Sequence, residues 1–370
     1  MKALKILHAA DLHLDSAFEG LGQAKAAQRR REQRELLSRL CALAAREQVD
    51  IVLLSGDLLD SGSSYFETGR ELVRALGDMG APVFIAPGNH DYICPSSPYM
   101  RLDFPENVHL FTENEIEYFE LPELRTSVYG AAFTDTVSPP LLCGFAARRR
   151  EGWTNLLCLH GELARTSPYD PITEAELASS GIDYAALGHI HRASGLCRAG
   201  ETWYSWPGCP EGRGFDECGE KYVNIIELGD NGCQLRQESV AGRRYELLRV
   251  DVSGTEPLLA IHAAMPEDTA RDVYRIILTG ETDTAPELAR LQDNLSELFF
   301  AVQLRDETRL RRDIWARAGE NSLRGVFLEK LRALYAAAGT EDERRQIERA
   351  ARWGLAALDN MEEVVSHENR

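Results

Sequence analysis

The stretch Gly188-His189-Ile190-His191 decides the fold, because it places two histidines directly after the apolar run Tyr184 to Leu187. Side chains at positions i and i+2 of an extended segment leave the backbone on the same face, a few ångströms apart. That offset suits two neighbouring metal ions, with one imidazole for each. Two histidines separated by one residue are weak evidence for a metal site, so the interpretation depends on whether other loops supply further ligands.

Four earlier loops carry metal-binding residue types, each just past an apolar run that predicts a strand. They are Asp11-Leu12-His13, Gly56-Asp57-Leu58-Leu59-Asp60, Gly88-Asn89-His90-Asp91 and His160-Gly161. Open α/β sheets bind their ligands outside the carboxyl ends of the strands, so these loops would meet at one edge. Five of the nine histidines lie in the five loops. One shared site explains this better than five unrelated polar residues.

Each of these residues taken alone has an ordinary structural explanation. Asp11 and His13 could be satisfied polar residues at a strand end. Asp57 could be a helix N-cap, and Asn89 could be a turn residue in the left-handed conformation. A metal site is therefore indicated by the complete set and not by any one motif.

The ligand chemistry predicts two divalent ions, with Mn²⁺ favoured and Fe or Zn²⁺ also compatible. Mixed carboxylate, amide and imidazole ligands suit these ions better than they suit a thiolate zinc site. The eight cysteines include no C-x-x-C pair, which agrees with reduced thiols. Two ions roughly 3.5–4 Å apart need a bridging anion, and a lone aspartate in a G-D turn such as Asp57 can serve. His90, beside Asn89, is the candidate to protonate a leaving oxygen or to hold a phosphate.

The first half of the chain alternates short apolar strands with helices. It begins with a strand from Leu4 to Ala9, followed by helices from Ala24 to Arg46 and from about Tyr65 to Met79. Beyond His191 short strands and glycine-rich turns predict a second sheet of antiparallel hairpins that packs on the first. Its strands are Thr202 to Trp206, Tyr222 to Leu228 and Gln234 to Val240.

Three domains are predicted. Residues 1–244 form the main α/β domain, residues 245–284 a small α+β cap, and residues 285–370 a C-terminal helical region with a possible partner-binding role. The helical region has three apolar stripes, which are Leu288, Leu291, Leu295, Leu298, Phe299 and Val302; Leu323, Phe327, Leu331, Leu334 and Tyr335; and Ile347, Ala351, Leu355, Leu358, Met361 and Val365. Gly339 predicts a helix end, and Thr340-Glu341-Asp342-Glu343 predicts a capping box at the next helix.

The formal net charge of −18 counts against a large phosphate-binding footprint that is independent of sequence. Bound divalent cations would still invert the field at a carboxylate-rich site, so a local footprint remains compatible. No apolar run approaches a membrane span, and residues 1–8 lack the core of a signal peptide. We therefore expect a cytoplasmic protein with no membrane association.

Several other residues have competing interpretations. Arg29-Arg30-Arg31 could lie near an incoming phosphate or on a solvated helix face. Arg213 could hold a phosphate or form a structural ion pair. Trp203 and Trp206 could stack on bases, but core packing is favoured. His8 lies within the first strand, too far before the loop that follows it to reach the metals.

In this order, D-x-H, G-D-x-x-D, G-N-H-D, H-G and G-H-x-H resemble the motifs of the calcineurin-like metallophosphoesterase superfamily. The resemblance implies an α/β fold, a four-layer sandwich of two mixed β-sheets flanked by helices. It implies that His90 is the catalytic histidine and that Asp91 orients it. The implied ligands are Asp11, His13, Asp57 and His191 for one ion, and Asp57, Asn89, His160 and His189 for the other, with Asp57 bridging.

Within that superfamily, the stretches His8 to Asp15 and Glu211 to Glu217 are similar to the SbcD and YhaO-type DNA repair exonucleases. The similarity implies a Mn²⁺-dependent 3′→5′ exonuclease and single-strand endonuclease. Its cap would cover DNA, and its C-terminal helices would bind an SbcC-type coiled-coil ATPase; a homodimer is possible. Asp60 stands where archaeal and eukaryotic break-repair nucleases have a histidine, and bacterial members commonly have aspartate there.

Two other functional classes use the same fold. One is a phosphodiesterase or phosphatase for small molecules or phosphoproteins, and the other is a non-catalytic scaffold. A scaffold would bury carboxylates and imidazoles without a cation, which is costly. A small-molecule hydrolase does not need the cap and the helical tail, so the nuclease is favoured.

Overall fold

A computed structural model describes residues 3–60, 66–310 and 314–358 of the chain. By spatial contacts these residues divide into two compact units. Among the described residues, the first unit draws on those within 3–250, 261–277 and 288–305, and the second on those within 251–260, 278–287 and 306–358. This division follows contacts and not chain order, so the consecutive domains 1–244, 245–284 and 285–370 remain a prediction.

The strands are β1 (Leu4–Ala9), β2 (Ile51–Leu54), β3 (Val83–Ile85), β4 (Val108–Leu110), β5 (Glu117–Leu121), β6 (Thr126–Gly130), β7 (Thr154–His160), β8 (Glu162–Leu163), β9 (Pro171–Ile172), β10 (Tyr184–Gly188), β11 (Cys197–Ala199), β12 (Thr202–Ser205), β13 (Val223–Gly229), β14 (Gly232–Glu238), β15 (Tyr245–Asp251), β16 (Val273–Thr279), β17 (Glu281–Thr282), β18 (Ala301–Asp306) and β19 (Arg309–Leu310). The helices are α1 (Gln23–Glu47), α2 (Phe66–Gly77), α3 (Glu174–Ser179), α4 (Pro257–Ala264), α5 (Leu288–Leu295), α6 (Leu323–Ala337) and α7 (Glu341–Leu358). The predicted bounds of β1 are confirmed, and Tyr65 of the second predicted helix lies outside the described residues.

Two six-stranded mixed sheets form the centre of the first unit. One has the order β14-β13-β1-β2-β3-β4, in which β1 to β4 are parallel and β13 runs antiparallel to β1. The other has the order β11-β12-β10-β7-β6-β5, in which β12, β10, β7 and β6 are parallel. The carboxyl ends of the parallel strands therefore gather at one edge of each sheet.

The two sheets pack face to face, and helices cover their outer faces. Ile6 of β1 contributes to the core between the sheets, and its neighbour Leu7 points into the core under α1 and α2. The outer face of the second sheet packs on α3, where Leu177 is fully buried. Strands buried on both faces explain why their sequences are continuously apolar. The predicted four-layer α/β sandwich is confirmed.

The hairpin formed by β13 and β14 corrects the predicted second sheet. It extends the first sheet through pairing of β13 with β1, for example Ile226 opposite Ile6. Of the described strands after His191, β11 and β12 alone join the second sheet. The period-2 pattern identifies the strands, but tertiary pairing decides which sheet receives them.

The predicted helical region beginning at residue 285 also needs correction. Helix α5 ends at Leu295, and Val302 lies in strand β18, which joins the three-stranded sheet β15-β16-β18. The second predicted helix in this region is α6, and the third is α7 up to Leu358; Met361 and Val365 lie outside the described residues. Within the described ranges, no helix is long and apolar enough to cross a membrane.

The capping box between α6 and α7 is confirmed. The Glu343 N–H donates to the Thr340 hydroxyl at 3.2 Å, and the Thr340 N–H donates to the Glu343 carboxylate at 3.1 Å. These two bonds satisfy backbone donors that the first turn of α7 leaves free. The turn thus starts a new helix and does not extend α6.

Candidate dimetal centre

The five ligand-bearing loops meet at the carboxyl ends of the parallel strands. Asp11 follows β1, Asp57 follows β2, Asn89 follows β3, His160 ends β7 and His189 follows β10. Donor atoms lie within 4.8 Å of one another in three groups, which are Asp11, His13 and His191; His13, Asp57 and His90; and Asp11, Asp57 and His160. The structure therefore brings residues that are far apart in the chain into one site.

The backbone of these loops is strained. Asp11, His13, Asp57 and His189 all have positive φ, of 53°, 43°, 50° and 89°. A non-glycine residue in this region costs on the order of 1–3 kcal/mol, and such residues persist where the surrounding structure holds them for function. Their concentration in the ligand loops marks this edge of the sheets as the functional edge.

Glycines allow the loops to approach each other this closely. A Cβ at Gly188 would lie 1.7 Å from the Ser55 carbonyl oxygen, and a Cβ at Gly88 would lie 2.3 Å from Asp57 Oδ1. Trp206 adds a further tie, because its indole N–H donates to the carbonyls of Gly161 and Gly188 at 3.0 Å each. The G-N, H-G and G-H motifs are therefore packed against one another by shape as well as by hydrogen bonds.

Hydrogen bonds fix the tautomers of two histidines. His13 Nδ1 lies 3.1 Å from Asp60 Oδ1, and His191 Nδ1 lies 2.7 Å from Glu217 Oε1. Burial would raise the pKa of Glu217, but hydrogen bonds from His191 and Arg213 outweigh it and hold that pKa well below its usual range. An ionised carboxylate only accepts, so the proton sits on Nδ1 of each ring and the lone pair sits on Nε2.

The two Nε2 atoms then face each other across a short gap. His13 Nε2 is 3.2 Å from His191 Nε2 and 3.6 Å from Asp57 Oδ2, and His191 Nε2 is 3.9 Å from Asp11 Oδ1. Asp11 is fully buried, and its Oδ2 has no hydrogen-bond partner among the described residues. Lone pairs and carboxylates at these distances repel unless a cation lies between them. This donor set fits a divalent metal ion.

A second set of acceptors lies on the other side of Asp57. His160 Nδ1 donates to the Ser55 carbonyl at 2.9 Å, which again directs Nε2 into the site. His160 Nε2 lies 3.0 Å from Asn89 Oδ1 and 3.4 Å from Asp57 Oδ2, and His189 Nδ1 lies 3.2 Å from Asn89 Oδ1. Burial would lower the pKa of His160, but the Asp57 carboxylate outweighs it and raises that pKa to about 9. This second group of acceptor atoms therefore also fits a cation.

Asp57 belongs to both sets, because the same oxygen approaches His13 on one side and His160 on the other. The Asp57 pKa lies well below its usual range, since the neighbouring histidines outweigh the effect of burial. A shared carboxylate between two acceptor sets is the arrangement that a pair of divalent ions requires. The site is a dimetal-binding site built from Asp and His residues.

His90 is the exposed histidine of the site. Its ring packs edge-on against the His13 ring, with centroids 4.8 Å apart, and its Nδ1 lies 3.0 Å from the Asp60 carbonyl oxygen. Because a carbonyl accepts, Nδ1 carries the proton and Nε2 is left for other partners. The His90 backbone N–H donates to Asp57 Oδ1 at 2.9 Å.

Asp91 does not orient the His90 ring as the resemblance implied. Its buried carboxylate accepts from the Gly88, Leu58 and Leu59 backbone N–H groups at 2.8, 2.7 and 3.2 Å, and from the Tyr99 hydroxyl at 2.6 Å. These donors belong to the G-D and G-N loops and to a neighbouring turn. Asp91 therefore ties the two ligand loops together, and the Asp60 carbonyl orients the His90 ring.

Three residues near the site were not predicted to orient the ligands. Asp60 and Glu217 hold the histidine Nδ1 atoms, and Arg213 contacts both carboxylates. Two of them stand in the glycine-rich turn from Glu211 to Glu217, where four of seven residues are charged, and that clustering is the signal that could have found them. Their function depends on a contact between distant loops, which spacing along the chain does not reveal.

Four of the remaining residues have structural roles, whereas Arg31 of the basic cluster is exposed. Arg29 is fully buried and pairs with Glu211 at 2.7 Å, so it is neither a solvated residue nor a phosphate ligand. Trp206 is buried, and Trp203 packs partly buried against the core between the sheets, as favoured. His8 is buried beside Tyr184, and burial lowers its pKa to about 3.

Comparison with known proteins gives one family and several relatives. Residues 4–193 match the family model described as calcineurin-like phosphoesterase. The chain is 29% identical over 337 residues to the uncharacterized metallophosphoesterase YhaO of Bacillus subtilis, covering 84% of this chain and 80% of that protein. It is 30% identical over 200 residues to the DNA double-strand break repair protein Mre11 of Saccharolobus solfataricus, covering 51% and 49%. It is 26% identical over 265 residues to a subunit of the SbcCD nuclease of Bacillus subtilis, covering 60% and 66%.

Proposed function

Because this chain belongs to the calcineurin-like phosphoesterase family and is a hydrolase of phosphoester bonds, we propose that its substrate is DNA. In this proposal the protein is a Mn²⁺-dependent 3′→5′ exonuclease and single-strand endonuclease that acts in DNA repair. The position of Asp57 between two acceptor sets supports hydrolysis of a phosphodiester. The choice of DNA is supported by relatives named as a break repair protein and as part of a nuclease.

The proposal assigns the ligands to two ions. Asp11, His13, Asp57 and His191 hold one, and Asp57, Asn89, His160 and His189 hold the other. When bound, two such ions lower the pKa of a shared water and neutralise charge on the phosphoryl oxygens. Each ligand histidine whose Nδ1 donates to a carboxylate or carbonyl presents Nε2 to the site.

His90 acts on the phosphate from outside the ligand set. Its exposed ring lies beside His13, and the Asp60 carbonyl holds its Nδ1–H. Nε2 is thereby directed to substrate, where a protonated ring can hold a phosphate oxygen or protonate the leaving oxygen. Asp91 supports this geometry indirectly, through the loop that carries His90.

A substrate panel tests the choice of DNA. Purified protein with Mn²⁺ is given end-labelled single- and double-stranded DNA, and separately small aryl phosphate mono- and diesters. The proposal requires DNA degradation that EDTA abolishes and that His90→Ala slows by about 10²–10⁴-fold. Hydrolysis of the small esters with every form of DNA left intact would refute the nuclease and favour a small-molecule phosphoesterase.

A partner is also part of the proposal, namely an SbcC-type coiled-coil ATPase bound by the C-terminal helices. Helix α6 packs on α7 through one face, where Leu328 is buried. Three further apolar residues of α6, Leu323, Val326 and Leu334, are 75%, 49% and 57% exposed. A second apolar stripe on an amphipathic helix suits a helical partner.

The exposed stripe gives the partner test. Val326→Glu combined with Leu334→Glu should abolish recovery of the ATPase in a pull-down and leave DNA hydrolysis unchanged. Arg332→Glu is the matched control, because Arg332 is an exposed residue on the opposite side of α6. An unchanged pull-down with the double variant would refute the assignment of α6 as the partner surface.

A further inference from the structure

Arg213 lies between the two carboxylates that hold His13 and His191. Its Nη1 donates to Asp60 Oδ1 at 3.1 Å, and its Nη2 donates to Glu217 Oε1 at 2.8 Å. Its Nε and its backbone N–H donate to Glu217 Oε2 at 3.3 and 2.8 Å. Each nitrogen of the guanidinium thus has a carboxylate partner, and the side chain is only 21% exposed. This leaves little of Arg213 free to bind a phosphate.

The oxygens that Arg213 holds are the same ones that accept from the histidines. Asp60 Oδ1 accepts from both Arg213 and His13 Nδ1, and Glu217 Oε1 accepts from both Arg213 and His191 Nδ1. One planar guanidinium therefore sets the position of two acceptors in a fixed fork. Through them it sets the orientation of two imidazoles that face the same gap.

Arg213 does not bond to the His191 ring directly. Arg213 Nη2 lies 3.2 Å from His191 Nδ1, but both atoms carry protons, so this contact is not a hydrogen bond. The guanidinium therefore acts on the ring through Glu217 Oε1, which accepts from both groups.

The segment that carries Arg213 is itself fixed in place. Glu211 accepts from the buried Arg29 at 2.7 Å and from Arg39 at 3.1 Å. A Cβ at Gly212 would lie 2.6 Å from the Glu217 carbonyl oxygen, so the turn is closed tightly on itself. Arg213 is therefore held by the fold before any ligand binds.

We propose that Arg213 is a positioning residue, which through Asp60 and Glu217 keeps His13 and His191 in the Nδ1–H tautomer and directs both Nε2 atoms to one ion. The proposal rests on the ligand assignment made under the proposed function. It does not depend on the identity of the substrate. Groups that hold the second nitrogen of a ligand histidine typically change metal affinity by about 10–100-fold when removed.

Calorimetric titration of metal-free protein with Mn²⁺ tests this without any substrate. Arg213→Gln should weaken one of the two binding events by about 10–100-fold and leave the other unchanged. The Mn²⁺ affinity of Arg213→Lys for that event should lie between those of the wild type and Arg213→Gln, because lysine keeps the charge but loses the planar fork of donors. Arg39→Gln is the matched control, since Arg39 holds Glu211 of the same segment and contacts neither histidine. It should bind both ions like the wild type.

Glu217→Gln is the second variant in case the arginine variants fold poorly. It keeps the volume of the side chain but presents one acceptor oxygen in place of two and loses the charge. It should weaken the same single event and shift the Nδ1–H signal of His191 in the ¹⁵N spectrum of metal-free protein. Wild-type affinity for both ions in Arg213→Gln or Glu217→Gln would overturn the proposal. So would an Arg213→Gln enzyme that binds both ions normally but has a raised KM for DNA, because Arg213 would then bind phosphate. Failure to cleave DNA would refute the proposed function alone.

Discussion

Asp91→Asn is the substitution that best separates loop organisation from proton transfer. The buried Asp91 carboxylate accepts four hydrogen bonds, three at Oδ2 and one at Oδ1. Burial and the Asp57 charge raise its pKa, whereas the Tyr99 hydroxyl and the backbone donors oppose that rise. All four contacts are donors, so only the ionised carboxylate satisfies them. Asparagine has the same shape but presents one acceptor oxygen in place of two.

The loss can be worked out from these contacts. The amide oxygen of the introduced asparagine would best replace Oδ2 and keep the bonds from Leu58, Leu59 and Tyr99. Its NH₂ group would then face the Gly88 N–H, which loses its partner inside the protein. One buried unsatisfied donor costs about 1–3 kcal/mol, and the three remaining bonds lose the assistance of a charge. We expect the free energy of unfolding to fall by about 2–4 kcal/mol.

The assay has two parts. Urea denaturation of metal-free protein measures stability, and DNA hydrolysis at saturating Mn²⁺ measures turnover across pH. The Asp91→Asn variant should be less stable and need more Mn²⁺, while the pH dependence of its turnover stays that of the wild type, because His90 is held by Asp60. Wild-type stability together with lost turnover or a shifted pH profile would refute this reasoning. That result would show that Asp91 acts directly on His90.

Three further predictions test other parts of the site. His90→Ala should lower turnover on DNA by about 10²–10⁴-fold. Because the ring is exposed, the free energy of unfolding should stay within about 0.5 kcal/mol of the wild type. Denaturation showing a large loss of stability would contradict this prediction. Gly188→Ala should lose Mn²⁺ affinity or fail to fold, because its Cβ would lie 1.7 Å from the Ser55 oxygen; a normal melting temperature and titration would show that the loops can separate. Burial would lower the pKa of His160, but the Asp57 carboxylate outweighs it and raises that pKa to about 9. Below that pH a proton competes with Mn²⁺ for His160, so the affinity for Mn²⁺ should fall by up to about tenfold per pH unit as the pH decreases. Calorimetric affinities that stay constant between about pH 6.5 and 8.5 would argue against this competition.

Much of the fold follows from local pattern. The bounds of β1 and the placement of ligand residues after strands come from apolar runs that end in polar loops, a signal that needs no tertiary knowledge. The sequence predicts a helix where strand β18 begins, because Val302 continues an apolar stripe at helical spacing. Its conformation is decided by the sheet it joins, since the preference for a strand depends largely on its neighbours.

The candidate site divides in the same way. Its acceptor residues stand in short motifs, so their types and order could be interpreted directly. The groups that orient them could not: Glu217 reaches His191 across a turn, and Asp91 faces loop donors and not the adjacent His90. Arg29 is a related case, because a charged residue on a helix suggests exposure until its partner Glu211 is known. Partners across the fold decide each of these roles.

In the proposed site Asp57 lies between two metal ions. Anomalous diffraction at the manganese edge, from crystals grown with Mn²⁺, measures this directly. We expect two peaks roughly 3.5–4 Å apart, one bonded to His191 and the other to His160, with Asp57 touching both. A single peak, or two peaks that do not share Asp57, would contradict the account.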